Sequence, residues 1–493
     1  MKRILTGILV LLMLISSVLV SCQTEETLGN KETDAKTDGT GTGAETEEDL
    51  LGFLPDKTFD GAKYTIFDYN PDTTTPQVVE LDEESKEVVV TEAIYRRNVE
   101  IEGRYDVTIV EFSVASNWDD RWSKLHETIF GGEDIYDLAV CRAIRGGLSL
   151  VYDNIVMDFN ALPYVDVENP WWNQTGNTNL VFNGKQYFAN APIDLHLYMM
   201  PFALYTNLDI VKDVNLDSPV QAVLDYTWTA DLMLQYCKAA HKDMNGDSVM
   251  DGEDRYGLSG VDYNTFPQLM AGFDVTTVVD DDDGYPILNQ TNAMITAYET
   301  AYDLFYGTNA SYYNNNPTWG QVRDQMEHFG AGLAMFTMGN MSIGTWSKIR
   351  PMEMDLTVLP VPMLDENQGD YYTYTECPFI LAIPSTASVH SERTGLITEA
   401  LAAVSYTTVL PAYYETALKE KYTRDEEGIM KQMIDMIYKN LVIDKGIAIW
   451  DEPREVFLQA LYSRNDQIVS ILDTKAKLIN RTLTSDMDKI AES

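Results

Sequence analysis

The feature that most limits the fold of this chain is the alternation of strand-like and helix-like segments over residues 62–140. The segments AKYTIFDYN and DVTIVEF are typical of β-strands, and TEAIYRRNVEIEGRY between them is typical of a helix. Trp122, Leu125 and Ile129 lie at i, i+3 and i+7, which predicts one face of a second helix before the strand DIYDLAV. Strands that alternate with helices favour a sheet of parallel strands joined by crossover helices.

The second half of the chain is richer in helical patterns. Asn183-Gly184 predicts the turn of a hairpin-like strand pair. Thr227 is the predicted N-cap of a helix in DYTWTADLMLQYCKAAH, and most of 454–491 has helical periodicity. The strand pattern DLTVLPVP is stopped by its two prolines. The predicted class is therefore α/β or α+β, with a helix-rich C-terminal part.

Residues 1–22 are typical of an export signal. Lys2 and Arg3 precede an apolar run, 4–20, that is short for a membrane span of about 20 residues. The run ends in LVSC, which resembles the bacterial lipobox. Cys22 is then expected to become the lipid-bearing first residue of the mature protein. The alternative is an ordinary secretory signal.

Residues 23–50 predict a disordered linker. They are acidic and contain no aromatic residue, so they cannot bury enough apolar surface to offset the entropy of ordering. Such a segment is suited to tether a folded body to a lipid. We therefore expect an extracytoplasmic body that is anchored to the outer face of a bacterial cell membrane.

The composition limits the partners. The formal net charge is −42, which disfavours nucleic acid, whose binding depends on neutralising phosphates. If Cys22 carries a lipid, Cys141, Cys237 and Cys377 remain, and their wide spacing predicts no disulfide framework. The folded body must then depend on a large core, divided into two or three domains at about 150 residues each.

The acidic loop KDMNGDSVMDGEDRYGL predicts a calcium site. Its candidate ligands occupy positions 1, 3, 5, 7, 9 and 12 of an EF-hand-like loop: Asp243, Asn245, Asp247, Val249, Asp251 and Asp254. Ser248 stands where the EF-hand has Gly, and position 12 is Asp rather than Glu. The alternative is a turn whose Asp and Asn side chains cap their own backbone. Because one loop supplies every ligand, a Ca²⁺ ion here would stiffen the fold; no cofactor is required for activity.

Motifs for catalysis are absent from the sequence, whereas aromatic residues are frequent. No H-E-x-x-H, G-x-S-x-G or P-loop pattern occurs. Trp171 and Trp172 are adjacent, and Trp346 follows a Gly-rich strand pattern; flat aromatic faces can stack on sugar rings. Adjacent side chains point in different directions, so we expect one of the paired tryptophans to be buried and the other to face a cleft.

Several segments, in their order along the chain, resemble the extracellular solute-binding proteins of bacterial ABC importers. They are NGKQYFANAPIDLHLYMMPFALYTNLDIV, YTWTADL, the acidic loop, FGAGLAMFTMGNMSIGTW, VLPVPM and CPFILAIPSTA. The likeness covers most of 54–440 and is to the larger lipoproteins, distantly similar to maltose-binding protein. It implies a two-lobed, periplasmic-binding-protein-like (type II) α/β fold with hinge strands. Lobe 1 would comprise 55–192 and 340–383, and lobe 2 would comprise 193–339 and 384–493.

The resemblance also implies a site in the cleft between the lobes. Positions that match the family pattern are the candidate ligand-binding residues: Tyr69, Asn70, Arg142, Trp171, Trp172, Asp194, Tyr263, Asn340 and Trp346. In this interpretation the first crossing between lobes contains Asp194, and Asn340 and Trp346 lie at the second.

The function implied is capture of a solute, foremost an oligosaccharide, and its delivery to ABC permease subunits by a monomeric protein that is not an enzyme. The alternative is a surface-anchored glycosidase with a calcium-stabilised domain, which would need two carboxyl groups about 5–10 Å apart in the cleft. A peptide binder is a third interpretation, and the acidic balance suits cationic ligands.

Overall fold

Two five-stranded β-sheets, built from different parts of the chain, form the frame of the fold. The computed structural model describes residues 49–68, 76–81, 88–114, 122–142, 147–260, 262–312, 321–342, 352–375, 379–414, 428–450 and 452–492. The chain divides into a unit Met1–Phe53 and a unit Leu54–Ser493, and both sheets belong to the second unit.

The strands are β1 (Ala62–Asp68), β2 (Val107–Ser113), β3 (Leu138–Arg142), β4 (Val156–Met157), β5 (Val181–Phe182), β6 (Lys185–Gln186), β7 (Phe202–Asn207), β8 (Tyr256–Ser259), β9 (Val278–Asp280), β10 (Pro286–Leu288), β11 (Ser311–Tyr312), β12 (Ala334–Asn340), β13 (Leu356–Leu359), β14 (Thr373–Tyr374), β15 (Phe379–Pro384) and β16 (Leu441–Val442). The helices are α1 (Val89–Tyr105), α2 (Ser123–Phe130), α3 (Gly147–Tyr152), α4 (Gln174–Thr178), α5 (His196–Met199), α6 (Leu208–Asp213), α7 (Pro219–Leu224), α8 (Ala230–Ala240), α9 (Asp262–Gly272), α10 (Asn292–Tyr302), α11 (Gln321–Gly330), α12 (Ser391–Val404), α13 (Ile429–Lys439), α14 (Glu452–Tyr462) and α15 (Ile468–Glu492).

The first sheet has the order β2-β1-β3-β15-β4. β1 lies parallel to both β2 and β3, with α1 and α2 as the crossovers, so the predicted parallel arrangement is confirmed. β15 returns antiparallel to β3 and β4. Tyr64, Ile66 and Phe67 of β1 are fully buried, as expected for a strand covered on both faces.

The second sheet has the order β11-β8-β12-β7-β13. β8 is parallel to β11 and β12, and β7 runs antiparallel to β12 and β13. All six residues of β7 are buried, which is consistent with its place between two neighbouring strands. Each sheet thus contains parallel strands and one strand that is antiparallel to its neighbours. This strand is β15 in the first sheet and β7 in the second.

The predicted hairpin turn is confirmed. β5 pairs antiparallel with β6, and the two residues between them are Asn183 and Gly184. Their φ angles are 51° and 74°, and the type I′ turn requires a positive φ at both positions.

The predicted N-cap of α8 was wrong by two residues. The cap is Thr229, whose hydroxyl accepts a hydrogen bond from the Leu232 backbone N–H at 3.4 Å. Thr227 instead donates its hydroxyl to the Ala222 carbonyl in the preceding turn. Thr227 and Thr229 both lie close to the helix start in the sequence. Only the path of the backbone determines which of them caps the helix.

Within the described ranges, two segments lead from one sheet to the other, and they pair with each other. The first runs from Ala189, which pairs with Leu381 of the first sheet, to β7 of the second. The second runs from Thr375, which pairs antiparallel with Pro201, to β15 of the first sheet. Two paired crossing segments are the arrangement expected of hinge strands between two lobes.

The predicted lobe assignment differs from the strand pairing in two places. β13 fell in predicted lobe 1, but it pairs with β7 in the second sheet. α12 fell in predicted lobe 2, but it packs against the first sheet, where the Tyr64 and Thr398 hydroxyls lie 2.7 Å apart. Apolar periodicity marks both segments as buried elements, but it does not specify which sheet they join. The remaining lobe boundaries stay predictions.

The C-terminal helices confirm the helix-rich end of the chain. α13 packs on β13, α14 packs on α9, and α15 contacts β10 and α3. Among the described residues, one helical stretch, Ser385–Tyr414, is long and apolar enough to cross a membrane, and most of its apolar window is buried inside the protein.

Candidate ligand-binding site at the junction of the two sheets

Both sheets present the carboxyl ends of their parallel strands to the crossing segments. β15 begins at Phe379, which pairs with Arg142 at the end of β3. β7 begins at Phe202, which pairs with Asn340 at the end of β12. The crossings therefore join the sheets at the edges where ligands bind in open α/β sheets. We call this region the junction.

Asp68, the last residue of β1, is a buried carboxylate without a partner. It is 1% exposed, and neither carboxylate oxygen has a hydrogen-bond partner among the residues that the structure describes. Burial raises its pKa well above the usual range, and the carboxylates of Asp194 and Glu111 raise it further. Such a group destabilises the unliganded protein, which makes it a candidate for ligand contact.

Asp194 lies on the first crossing segment, two residues before α5. It is 4% exposed, and Oδ2 accepts a hydrogen bond from the His196 backbone N–H at 3.2 Å. Burial raises the pKa of this carboxyl to about 7, although the backbone hydrogen bond opposes the shift. The His196 ring packs on Phe379 with centroids 4.2 Å apart, so this part of the crossing is held against the first sheet.

Asn190 adds a polar group to the same part of the first crossing. Its side-chain N–H donates to the Phe379 backbone carbonyl at 2.5 Å. Its backbone carbonyl accepts a hydrogen bond from the Asn173 backbone N–H. The side-chain oxygen of Asn190, which is 3% exposed, has no partner within the described part of the chain. The junction therefore contains three buried acceptor oxygens without donors, two on Asp68 and one on Asn190.

Aromatic rings border the junction on the side of the second sheet. Phe202 and Tyr374 stack with centroids 6.5 Å apart. The Tyr438 hydroxyl of α13 donates to the Tyr198 carbonyl on α5 at 2.7 Å. The junction thus combines apolar faces with a few polar groups, which is the usual composition of a small-molecule site.

Solved structures share this fold at low sequence identity. UspC from M. tuberculosis matches with a TM-score of 0.56 and 12% identity, over 85% of this chain and 100% of the other. The cyclic alpha-maltosyl-1,6-maltose binding protein from Arthrobacter globiformis matches at 0.55 and 14%, over 86% and 100%. The ABC substrate-binding protein Lmo0181 from Listeria monocytogenes, in complex with cycloalternan, matches at 0.50 and 12%, over 86% and 100%. The chain has the two-lobed solute-binding-protein fold. No protein-family model and no curated protein matches the sequence.

In this solute-binding fold, four predicted residues lie outside the described part of the chain: Tyr69, Asn70, Trp346 and the lipidation candidate Cys22. For two others the structure describes the backbone only. Arg142 ends β3, and Tyr263 lies in the first turn of α9, directly after β8. Both positions are at carboxyl edges that meet at the junction.

Asn340 lies at the junction, but not on a crossing as predicted. It ends β12, and its side-chain amide contacts the Met200 sulfur at 3.4 Å. The following residue, Met341, donates its N–H to Pro201 at 2.8 Å, beside the first crossing. In the described part of the chain, the same sheet is next joined by β13, and the second crossing is marked further on by Thr375, which pairs with Pro201. The resemblance located the residue, but the strand order was decided by long-range pairing.

Trp171 and Trp172 hold a buried carboxylate. Their indole N–H groups donate to the two oxygens of Glu399 on α12, at 2.9 and 3.0 Å. Trp172 is 1% exposed and packs edge-on against Phe159, so it has no free face for a ligand, whereas Trp171 is half-buried. One tryptophan of the pair is thus buried, as expected, and the stacking role of Trp171 stays a prediction.

The acidic loop closes on itself through the backbone of Lys242 and Arg255, which pair in both directions. Asp243 accepts from the N–H groups of Gly246 and Ser248, and Asp254 accepts from those of Met244 and Asp251. These contacts are the self-capping turn that was the alternative to calcium. Within the described ranges no group of three His, Cys, Asp or Glu side chains is arranged for a metal. The calcium site stays a prediction.

A surface groove of about 570 Å³ lies at the opposite edge of the second sheet, lined by residues that include Asn207, Met244 and Arg255. Its Arg255 guanidinium is paired with Asp213 at 2.7 Å. The groove lies away from the carboxyl edges, and we assign it no ligand.

The sequence prediction named Asp194 but neither Asp68 nor Asn190, and a ligand-binding role for any of the three stays a prediction. The signal for Asp68 was available, because an acidic residue ends the apolar strand YTIFD. The prediction selected the two residues that follow it. Nothing local distinguished Asn190 from the many other amides of the chain.

Proposed function

We propose that this protein is the substrate-binding component of an ABC importer and captures a carbohydrate between its two lobes. The observation that carries the proposal is that two sheets meet, at their carboxyl edges, on a pair of crossing segments, and that buried polar groups without partners among the described residues lie at the end of β1 and on the first crossing. The sugar ligands named for two of the similar structures support a carbohydrate as the solute. The protein returns its ligand unaltered.

Capture works by closure. A ligand that contacts groups from both sheets binds the closed arrangement more tightly than the open one, and this difference in affinity shifts the population toward closure. The hinge is the paired crossing, where a few backbone angles absorb the movement. The closed form then docks on permease subunits of the importer.

We propose that Cys22 carries the lipid that anchors the protein on the outer face of the membrane, as a monomer. The test is to express the full chain and its Cys22→Ala variant in a bacterium that processes lipoproteins. The parent should partition into detergent and the variant into the aqueous phase. Equal aqueous partition of both would contradict the anchor.

The capture function is tested by thermal shift with a panel of mono- and oligosaccharides, followed by chromatography of the recovered sugar. A rise in melting temperature with unchanged sugar supports capture, since a ligand that binds only the folded state must stabilise it. Absence of any shift across the panel would contradict a carbohydrate ligand.

A glycosidase is the second candidate, because Asp68 and Asp194 are two carboxyl groups with raised pKa values in one site. This function requires the recovered sugar to be cleaved, and Asp68→Asn or Asp194→Asn to abolish the cleavage. Intact sugar after long incubation contradicts it.

We propose that the loop 243–254 binds Ca²⁺ as a structural ion. Removing divalent ions with a chelator should lower the melting temperature, and Ca²⁺ should restore it. The matched variant is Asp247→Asn. It removes the negative charge of a predicted Ca²⁺ ligand whose side chain is exposed. An unchanged melting temperature after chelation would leave the loop as a self-capping turn.

A further inference from the structure

We infer that Asn183 is a site of spontaneous covalent modification, at which the side-chain amide is lost and the link to Gly184 is partly rearranged to an isoaspartyl bond. The chain contains two Asn-Gly steps, Asn183-Gly184 and Asn245-Gly246. The fold separates them, because it leaves the first open to the reaction and blocks the second. The reaction is independent of any ligand of the protein.

The modification needs only water as a co-reactant. The backbone nitrogen of the glycine attacks the side-chain carbonyl carbon of the asparagine, and a C–N bond forms. The side-chain amide leaves as ammonia and takes the proton of the glycine N–H. Water then opens the five-membered succinimide at either carbonyl, which gives aspartate or isoaspartate. Glycine favours the attack because it has no side chain to obstruct it.

The groups that react at Asn183 are free and accessible. Asn183 and Gly184 are both exposed, and a Cβ built on Gly184 would meet nothing within 4 Å. The Gly184 N–H has no acceptor among the described residues. The Asn183 side chain has no hydrogen-bond partner within the same part of the chain. Neither the attacking nitrogen nor the carbonyl that it attacks is therefore held away from the other.

The turn must relax before the attack, and a short hairpin relaxes easily. Asn183 and Gly184 have φ angles of 51° and 74°, so the side chain reaches the glycine nitrogen only when this left-handed conformation opens. The strands β5 and β6 contain two residues each. Two-stranded hairpins of this kind are marginally stable, and local opening at an exposed turn costs little.

The acidic loop blocks the same reaction at Asn245. The Gly246 N–H donates to Asp243 Oδ1 at 2.5 Å, and a carboxylate acceptor disfavours loss of the proton from that nitrogen. The Asn245 side chain is also held, because its oxygen accepts from the Asp247 N–H at 2.9 Å and its amide donates to Asp247 Oδ2 at 3.3 Å. Both reacting groups at Asn245 are therefore occupied in the folded protein.

The modification changes a packed part of the fold. Phe182, the residue before Asn183, is 1% exposed and packs edge-on against Phe188 and Trp450, each with centroids 6.3 Å away. Isoaspartate adds one carbon to the main chain of a two-residue turn. The pairing of Phe182 with Lys185 then cannot keep its register. The isoaspartyl form should therefore melt at a lower temperature than the parent.

The test follows both Asn-Gly steps in the same sample. The full chain is incubated at mildly alkaline pH, folded in one arm and unfolded in concentrated urea in the other. Peptide mapping by mass spectrometry then separates the Asn, Asp and isoaspartyl forms of each peptide. In the folded protein Asn183 should react at least about ten-fold faster than Asn245, since a hydrogen bond to a charged group provides protection of this size. In urea the two rates should converge.

A pair of variants tests the cause of the difference. Asp243→Ala removes the acceptor of the Gly246 N–H, so the Asn245 rate in the folded protein should rise toward its value in urea, while the Asn183 rate stays unchanged. Asp282→Ala removes an exposed acid outside the loop and should leave both rates unchanged. Melting curves establish that each variant is folded.

Two results would overturn the inference. The first is a folded protein in which Asn183 stays intact for as long as the chain in urea needs to react, or in which Asn245 reacts as fast as Asn183. The second is an Asn245 rate that Asp243→Ala does not raise, because the loop contacts would then not be what separates the two steps.

Discussion

Asp68 shows how one buried residue can be unfavourable for folding. Its carboxylate is buried at the end of β1 without a hydrogen bond from the described residues. Glu399, equally buried, has two indole N–H groups and the Asn169 amide as donors. The contrast separates a carboxyl group whose oxygens have donors within the fold from one whose oxygens have none among the described residues.

Asp68→Asn should therefore increase the free energy of unfolding of the unliganded protein by about 1–3 kcal/mol at about pH 8, because folding of the parent must either protonate this carboxyl group or bury its charge without a partner. Urea denaturation measures the change. The control is Asp282→Asn on the surface, which should change it by less than about 0.5 kcal/mol. A destabilised Asp68→Asn protein would mean that this carboxylate supports the fold.

Asp194 predicts a pH dependence with a definite sign. Its pKa is about 7 in the folded protein, and its ordinary value is 3.8. The folded state holds a proton that the unfolded state releases, so stability from this group is complete below about pH 4 and is lost as the pH rises through about 7. The stability difference between parent and Asp194→Asn should shift by roughly 2–4 kcal/mol across this window. A constant difference between pH 4 and 8 would contradict the assignment.

At the scale of elements, capping decides where α8 begins. Thr229→Ala should cost about 1 kcal/mol of stability because the Leu232 N–H loses its acceptor. Thr227→Ala, the matched variant two residues earlier, should cost less than half of that. Chemical denaturation of both variants compares the two positions. A larger loss of stability for Thr227→Ala than for Thr229→Ala would make Thr227 the N-cap, as the sequence predicted.

Close packing of α8 on β8 depends on a glycine. A Cβ on Gly257 would lie 2.1 Å from the Cys237 Cα, which is backbone and cannot move aside. Gly257→Ala should cost about 3 kcal/mol or more. Gly103→Ala, on the exposed face of α1 with nothing within 4 Å of its Cβ, should instead stabilise by about 0.5–1 kcal/mol. Thermal denaturation of the Gly257→Ala and Gly103→Ala variants tests how closely Gly257 packs against the Cys237 backbone.

At the scale of the whole molecule, the paired crossings predict that ligand capture is coupled to closure. Ligand at about 100 times its dissociation constant should increase the free energy of unfolding by about 2.7 kcal/mol. Small-angle scattering of the same samples should show a smaller radius of gyration. Stabilisation without compaction would mean that the ligand contacts one sheet only.

Part of this description was accessible from the sequence. Strand and helix periodicity over 62–140 predicted the parallel half of the first sheet, and Asn183-Gly184 predicted the turn of the separate β5–β6 hairpin, because these signals come from neighbouring residues. The resemblance located the junction through Asp194 and Asn340. It did not indicate that Trp172 is buried against Phe159, since burial depends on contacts between distant segments.

By itself, the sequence determined which segments are strands and helices, because local periodicity and turn residues specify them. The tertiary structure decided which sheet β13 joins, where the chain crosses between the sheets and which acids come together. Asp68 at the end of β1 and the first crossing, with Asn190 and Asp194, belong to one half of the protein because long-range pairing joins β1 to β3, β3 to β15 and β15 to Ala189. Their burial depends on contacts between distant segments, and it is determined only when the whole chain has folded.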